Sequence, residues 1–227
     1  MLCEVHALGA SAVSTWLALS VIGLVAVLSA SGAVFWAYFA RPTYAQWRRK
    51  LDASYPPAEK VRLEVLQTLR SIAVSTICPA LSLHLAQSRG GASKAYCGAA
   101  PAGALPHVAQ FLLIWVITDL YEWAYHYIGH TVRALWANHK AHHLFFNPTP
   151  FAVIADDMVD QFVRSAPLLL FPLVMPMNID LLFGVFAVLV YGYGVLLHLG
   201  HEVDVRALSV HGAIGSRING AYEHYCA

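Results

Sequence analysis

The stretch His126-Tyr-Ile-Gly-His130, followed by His139-Lys-Ala-His142-His143, places five histidines within eighteen residues of an otherwise apolar sequence. The first pair is spaced i, i+4 and the second group i, i+3, i+4, so each set places imidazoles on one face of a helix. A lone histidine in an apolar segment is more often a core residue than a ligand. Five at this spacing indicate a metal site, because each neutral imidazole offers one metal-binding nitrogen and a buried ring without a partner costs free energy.

The composition is that of a membrane protein. Of 227 residues, 58% are hydrophobic and 12% are charged, and the mean hydropathy is +0.56. Soluble domains carry roughly twice that share of charge. A net charge of +1 without a long basic run gives no basis for nucleic-acid binding. The four cysteines lie far apart without a CxxC motif, which predicts neither a disulfide framework nor a zinc ribbon.

Two apolar segments precede the histidines. The uncharged run 11–40 is long enough to span a bilayer, and we expect it to be retained, because a signal peptide would need positive charge before it. Six basic residues between 41 and 62 place the following loop in the cytoplasm by the positive-inside rule. The weaker segment 65–86 is predicted as a second span, although an amphipathic surface helix fits it too.

The remaining apolar segments predict how the histidines come together. A third span over 105–125 delivers His126 to the cytoplasmic surface, and the region 165–197 forms a hairpin that returns the chain to the same side. The predicted fold is an all-α integral membrane protein, with three or four transmembrane helices, a helical membrane hairpin and a cytoplasmic histidine-rich helical cap. Residues 1–104 form the anchor and residues 105–227 the histidine-bearing domain.

This topology gathers eight histidines on one membrane face. One metal ion rarely takes more than about six ligands, so the set indicates two metals. Imidazole suits iron, copper, zinc and nickel alike, and the ligand set does not choose among them. Asp119 and Glu122 lie one or two helical turns before the first histidine, where they either orient the rings or are simply solvated. The predicted metal ligands are His126, His130, His139, His142, His143, His198, His201 and His224.

The motif order resembles one known family. Asp119-x6-His126-x3-His130, then His139-x2-His142-His143, Pro148-x-Pro150 and His198-x-Gly200-His201-Glu202, is similar to the fatty acid hydroxylase/sterol desaturase superfamily over about residues 105–227. The resemblance implies two iron ions, molecular oxygen, and electrons from a cytochrome b5-like carrier fed by an NAD(P)H reductase. It also implies an endoplasmic reticulum membrane and an apolar lipid substrate that is hydroxylated, desaturated or demethylated. The catalytic residues it implies are His126, His130, His139, His142, His143 and His198.

The sequence departs from the family pattern at two places. Asp157-Met-Val-Asp160 stands where the family commonly has His-Pro-x-Glu, and the last histidine box is represented by His224 alone, with Ala227 where a ligand is expected. We therefore expect incomplete metal binding and little lipid oxidation from the chain as printed. The alternative is a catalytically inactive, truncated homologue that acts as a partner or regulator. A metal-handling membrane protein ranks third, because transport would place ligands along the spans.

Overall fold

The protein is mostly helical, and two short strands are its only sheet within the described residues. A computed structural model describes residues 11–87, 92–98 and 104–202. The α-helices in chain order are α1 Ala12–Phe35, α2 Tyr44–Trp47, α3 Ala58–Ser75, α4 Ile77–Gln87, α5 Ala104–Thr131, α6 Arg133–His139, α7 Met158–Ser165, α8 Pro167–Val174, α9 Ile179–Phe186 and α10 Tyr193–Leu197. π-helical turns continue α1 over Trp36–Ala40 and join α9 to α10 over Ala187–Gly192. Single 3-10 turns cover His142–Leu144 and Pro150–Ile154.

Three helical stretches are long and apolar enough to cross a bilayer: Ala12–Ala40, Ala58–Gln87 and Ile179–Leu197. The first two match the predicted first and second spans. In the second, α3 gives way to α4 at Thr76, because Pro79 has no N–H to donate to the carbonyl of Ser75. The Thr76 hydroxyl instead donates to the carbonyl of Ile72 at 2.8 Å. The all-α membrane fold predicted from the sequence is therefore confirmed.

The predicted third span lies in α5, the longest helix at 28 residues. It is a helix as expected, yet it is not among the three apolar stretches found in the described part of the chain. Asp119 and Glu122 interrupt its apolar surface and lower its mean hydropathy. The location of the histidine-rich segment on the cytoplasmic side stays a prediction.

The predicted hairpin is present, and its two legs differ in length. The first leg is α8, which is only 8 residues long and has Pro172 inside it. The turn carries Asn178, whose side-chain oxygen accepts from the backbone N–H of Leu181 and so caps α9. The second leg, Ile179–Leu197, has 19 residues and is about 28 Å long. It returns the chain to His198, beside the other histidines.

The two N-terminal membrane helices hold the loop that follows the histidines. Ser31 of α1 donates to the carbonyl of Pro150 at 2.8 Å, and Thr68 of α3 donates to that of Phe151 at 2.7 Å. The fully buried carboxylate of Glu64 accepts from both the backbone N–H and the hydroxyl of Thr149. The predicted boundary at residue 104 stays a prediction, but these bonds cross it and make the anchor part of the scaffold of the site.

A short parallel strand pair closes the opposite end of the molecule. Ala95–Tyr96 pairs with Met177–Asn178, at the turn of the hairpin. Cys97, next to the first strand, is in a disulfide whose partner lies outside the described residues, and the cysteine spacing did not predict this bond. Disulfides persist in oxidising compartments, which agrees with a lumenal position for this loop, because the predicted span 65–86 separates it from the basic loop 41–62 that we place in the cytoplasm.

The topology can be tested with two matched cysteine variants. Ala92 and Ala53 are both exposed alanines in loops that we predict on opposite membrane faces. In sealed microsomes, an impermeant maleimide should label Ala53→Cys from outside and Ala92→Cys only after permeabilisation. Labelling of Ala92→Cys in intact vesicles, with Ala53→Cys protected, would show that the orientation is inverted.

Candidate metal centre

Four imidazoles from two helices and the turn after them converge on one point. His126 and His130 come from the last turns of α5, His139 ends α6, and His143 lies in the following 3-10 turn. One ligand nitrogen from each lies within 4.8 Å of the other three. The Nε2 atoms of His126 and His130 are 3.1 Å apart, and those of His139 and His143 are 3.4 Å apart.

These separations fit ligands of one metal ion. At a metal–nitrogen bond of about 2.1 Å, two nitrogens at right angles are about 3.0 Å apart and two opposite nitrogens about 4.2 Å apart. The ligand nitrogens of the four-histidine group all lie within 4.8 Å of one another, which is only slightly wider than the separation of two opposite nitrogens. Imidazole nitrogens with no thiolate among them favour a catalytic or redox metal over a structural zinc.

His139 is held in the group by hydrogen bonds on its far side. Its Nδ1 lies 3.1 Å from Oδ2 of Asp160, and the Tyr125 hydroxyl donates to Oδ1 of the same carboxylate at 2.6 Å. With Nδ1 engaged, Nε2 is left to face the other histidines. Gly129 makes this packing possible, because a Cβ there would lie 2.7 Å from Cγ of His139.

A second pair of histidines lies next to the first group. The Nε2 atoms of His142 and His198 are 3.1 Å apart, and the rings of His142 and His126 are 6.2 Å apart between centroids. Nδ1 of His142 lies 2.5 Å from Asp156, and Nδ1 of His198 lies 2.7 Å from the carbonyl oxygen of Gly194. This pair therefore repeats the arrangement of His139, with Nδ1 bound to an oxygen and Nε2 directed inward.

Asp156 is itself fixed by a buried ion-pair network. Arg164 donates to Asp156 through Nη1 and to Glu122 through Nε, the latter at 2.8 Å, and Gln161 donates a further bond to Asp156. Burial alone would raise the pKa of Asp156, but His142 and Arg164 outweigh it and hold that pKa well below its usual value. Asp156 thus stays a carboxylate and keeps its pairing with the imidazole.

Burial favours the neutral form of four of the rings. It is the largest cause that lowers the pKa of His143 to about 3 and that of His198 to about 3, and the neighbouring His142 lowers both further. The same two causes, burial first and other imidazoles next, lower the pKa of His126 and His130. Neutral rings near pH 7 keep the lone pair that a metal needs.

His201 lies in a different environment. Its ring makes edge contacts with Tyr38, Phe39 and Trp47, with centroids 5.2 to 6.4 Å away. Lys50 lies in the same aromatic box, over the rings of Phe39 and Trp47, and also donates to Asn147 at 2.5 Å. Within the described residues, the contacts of His201 are with this box and not with the other histidines, so its role as a ligand stays a prediction.

The aromatic box that holds Lys50 and His201 joins three separate segments of the chain near the histidines. The backbones of Lys50 and His201 form an antiparallel bridge, and the N–H of Leu51 donates to the carbonyl of Gly200 at 3.0 Å. Gly200 adopts φ +65°, and a Cβ there would lie 3.1 Å from the carbonyl oxygen of Pro148. The segment carrying His198 is therefore fastened both to the basic loop and to the loop after His143.

A cavity of about 90 Å³ opens beside the two histidine groups. One wall is α5, and the facing wall is the second leg of the hairpin. Asp119 and Glu122 line it together with four of the histidines, and most of the remaining lining is apolar or aromatic. The lining residues are Trp115, Thr118, Asp119, Glu122, Trp123, Tyr125, His126, His139, His142, Arg164, Leu189, Val190, Tyr193, Gly194, Leu197 and His198.

The structure thus brings six of the eight predicted ligands together, while His201 lies apart and His224 lies outside the described residues. Sequence reasoning gave Asp119 and Glu122 as possible orienting carboxylates. In the structure the orienting carboxylates are Asp156 and Asp160, and Glu122 acts through Arg164. The sequence did hold a signal for the two orienting carboxylates. Asp156, Asp160 and Arg164 follow one another at i, i+4 spacing in the acidic segment after Pro150.

Comparisons with known proteins agree with the motif order. A family model described as fatty acid hydroxylase matches residues 111–224. Lathosterol oxidase from Rattus norvegicus is 33% identical over 145 residues, which cover 62% of this chain and 47% of the relative. Lathosterol oxidase from Mus musculus is 31% identical over 169 residues, covering 73% and 53%. A Delta(7)-sterol 5(6)-desaturase from Gibberella zeae is 36% identical over 70 residues, covering 30% and 20%.

The chain spans about half the length of the lathosterol oxidases that it matches. No solved structure matches it.

Removal of a converging imidazole should lower metal content. We expect His139→Ala and His143→Ala to reduce the iron bound by the purified protein sharply, because each removes a nitrogen from the four-histidine group. His84→Ala and His107→Ala are the matched controls and should bind as much iron as the wild type. Equal iron content in all four variants, measured by elemental analysis, would contradict the assignment of the centre.

The orienting carboxylates should matter for metal affinity. Asp160→Asn weakens the bond that holds His139, so we expect metal affinity to fall about 10- to 100-fold. Asp157→Asn is the control, because Asp157 only caps α7 by accepting from the N–H of Val159 and asparagine caps equally well. Calorimetric titration with Fe²⁺ or Co²⁺ under anaerobic conditions measures the metal affinity of both variants. An unchanged affinity in Asp160→Asn would show that this carboxylate does not orient a metal ligand.

Proposed function

Because the chain belongs to the fatty acid hydroxylase family, we propose that it is a membrane-bound oxidoreductase that uses two iron ions and molecular oxygen to hydroxylate, desaturate or demethylate an apolar lipid. Electrons would come from a cytochrome b5-like carrier fed by an NAD(P)H reductase. The endoplasmic reticulum membrane, with the histidines on its cytoplasmic face, is the proposed location of this multi-pass protein.

One observation carries the proposal: six imidazoles, three of them buried and three half-buried, direct Nε2 toward two adjacent points. The four-histidine group supplies ligands for one ion, and His142 with His198 supplies two for the other. Imidazole nitrogens bind iron as well as copper, zinc or nickel, so the choice of iron rests on the family and not on the donor set. His201 and His224 remain proposed further ligands.

The residues around the two points have distinct tasks. Bound iron would supply the activation of oxygen. Asp160 and Asp156 fix the orientation of His139 and His142, and the Tyr125 and Arg164 partners keep those carboxylates in place. The apolar hairpin wall at Leu189 and the residues near it excludes water from the reacting carbon. Fixed ligands in a dry site are what oxidation of an unactivated C–H bond requires.

A sterol is the substrate that we propose first. The three relatives are named for lathosterol oxidation or sterol desaturation. The cavity of about 90 Å³ between α5 and the hairpin is smaller than a sterol, so it would hold only the part of the molecule that lies next to the histidines, against the apolar and aromatic portion of its lining. Fatty acyl, alkane and polyketide-like substrates remain alternatives to be tested alongside it.

The second candidate is a non-catalytic homologue that binds metal and acts as a partner or regulator. The chain as printed matches about half of each lathosterol oxidase. This partial match is the reason to test the second candidate as well. Metal binding without any product would support it.

The function can be tested in microsomes from cells that express the chain. We expect the chain as printed to form only a small amount of sterol product from lathosterol, in a reaction that depends on oxygen and NAD(P)H, and we expect His142→Ala and His198→Ala to abolish it. His84→Ala is the control for expression and insertion. If microsomes with full iron content form no product from any of the four substrate classes, the oxidoreductase proposal fails and the non-catalytic alternative stands.

A further inference from the structure

Three residues that line the cavity each carry a buried polar atom with no hydrogen-bond partner among the described residues. The atoms are Nε1 of Trp115, Oγ1 of Thr118 and Oε1 of Glu122. Each atom is buried, and Thr118 as a whole is only 1% exposed. Their i, i+3, i+7 spacing places them on one face of α5, and that face continues to His126. Buried polar groups are normally paired, so three unpaired ones on the wall of one cavity point to a ligand.

The three atoms differ in what they can bond. The indole N–H of Trp115 can only donate, Oε1 of Glu122 accepts when the carboxyl group is ionised, and the hydroxyl of Thr118 can do both. A ligand hydroxyl both accepts and donates, so it can pair with the Thr118 hydroxyl and with one of the other two groups, which lie on either side of Thr118 along the helix. An alkane would leave every one of them unpaired.

Charge excludes another class of ligand. Asp119, Glu122 and Arg164 all line the cavity, but Arg164 is already paired with Glu122 and Asp156, so an acidic headgroup such as the carboxylate of a fatty acid would meet Asp119 without a free cation among the described lining residues to offset it. Like charges at close range in a poorly hydrated site repel strongly. The ligand must therefore be neutral at its polar end, and apolar where it meets Leu189, Val190 and Leu197.

We propose that Trp115, Thr118 and Glu122 form a subsite for the hydroxyl group of a neutral, otherwise apolar alcohol. The proposal rests on the proposed function, because it identifies how that function's substrate is recognised. Thr118 precedes His126 by eight residues, about 12 Å along the helix axis, and helical side chains tilt toward the N-terminus. A hydroxyl bound at Thr118 therefore presents the adjoining carbon skeleton to the histidines.

The test is equilibrium binding, which needs no turnover. Purified protein in lipid nanodiscs is titrated with radiolabelled lathosterol in competition with two unlabelled ligands: lathosterol itself, and the hydrocarbon in which hydrogen replaces its hydroxyl. We expect the wild type to prefer the alcohol about tenfold, as loss of one or two hydrogen bonds predicts. Thr118→Val keeps the side-chain shape and should reduce the preference toward unity, and Trp115→Phe should reduce it in part.

Two controls separate recognition from folding. Thr118→Ser retains a hydroxyl and should retain the preference. Thr131→Val changes a threonine of the same helix whose hydroxyl already donates to the carbonyl of Tyr127, and it should also leave the preference unchanged. An equal preference in wild type and Thr118→Val, or failure of the wild type to bind the alcohol, would overturn the subsite and leave cavity water as the partner of these atoms.

The outcome is distinct from that of the activity assay. Selective binding of the alcohol by a protein that forms no product would support the subsite while the oxidoreductase function fails. Turnover of lathosterol with an unchanged ligand preference in Thr118→Val would support the oxidoreductase function and contradict the subsite.

Discussion

The attachment of three imidazoles, those of His139, His142 and His198, through Nδ1 to a fixed oxygen is the constraint on which the site depends. A neutral imidazole has one N–H and one lone pair, so engaging Nδ1 as a donor decides that Nε2 carries the lone pair. Asp160, Asp156 and the Gly194 carbonyl do this for His139, His142 and His198. Without these oxygens the buried rings could rotate and lose their common direction. Helical spacing brings the rings near one another, and the oxygens on their outer side determine where they point.

The membrane helices contribute more than insertion into the bilayer. Side chains of α1 and α3 bond to the backbone of residues 149–156, the segment that ends in Asp156. In an apolar environment these bonds have few competitors, since no water is available to replace them. The buried carboxyl group of Glu64 is the strongest case, because its two oxygens bind both the N–H and the hydroxyl of Thr149 and so fix that residue in both position and direction. The position of Asp156, and through it of His142, therefore depends on residues more than 80 positions away in sequence.

Much of this could be predicted from the sequence, because it follows from local periodicity. The i, i+4 spacing of His126 and His130 predicted their common face, and the length of the hairpin predicted the return of His198. Other features required the tertiary structure. Nothing local distinguishes Asp160, which meets His139, from Asp157, which caps a helix, since both are acids on one short polar segment. The aromatic box around His201 is formed by residues near 38–50. These residues are about 150 positions from Gly200-His201, and no short-range sequence pattern links the two segments.

X-ray absorption spectroscopy of the iron-loaded wild-type protein tests the central claim most directly. The account predicts a first shell dominated by nitrogen at about 2.1 Å, together with the outer-shell scattering that several oriented imidazole rings produce. It also predicts no sulfur neighbour, because no thiolate lies in either histidine group. A first shell of oxygen alone, or one with sulfur at about 2.3 Å, would show that the metal is bound elsewhere and would contradict the account.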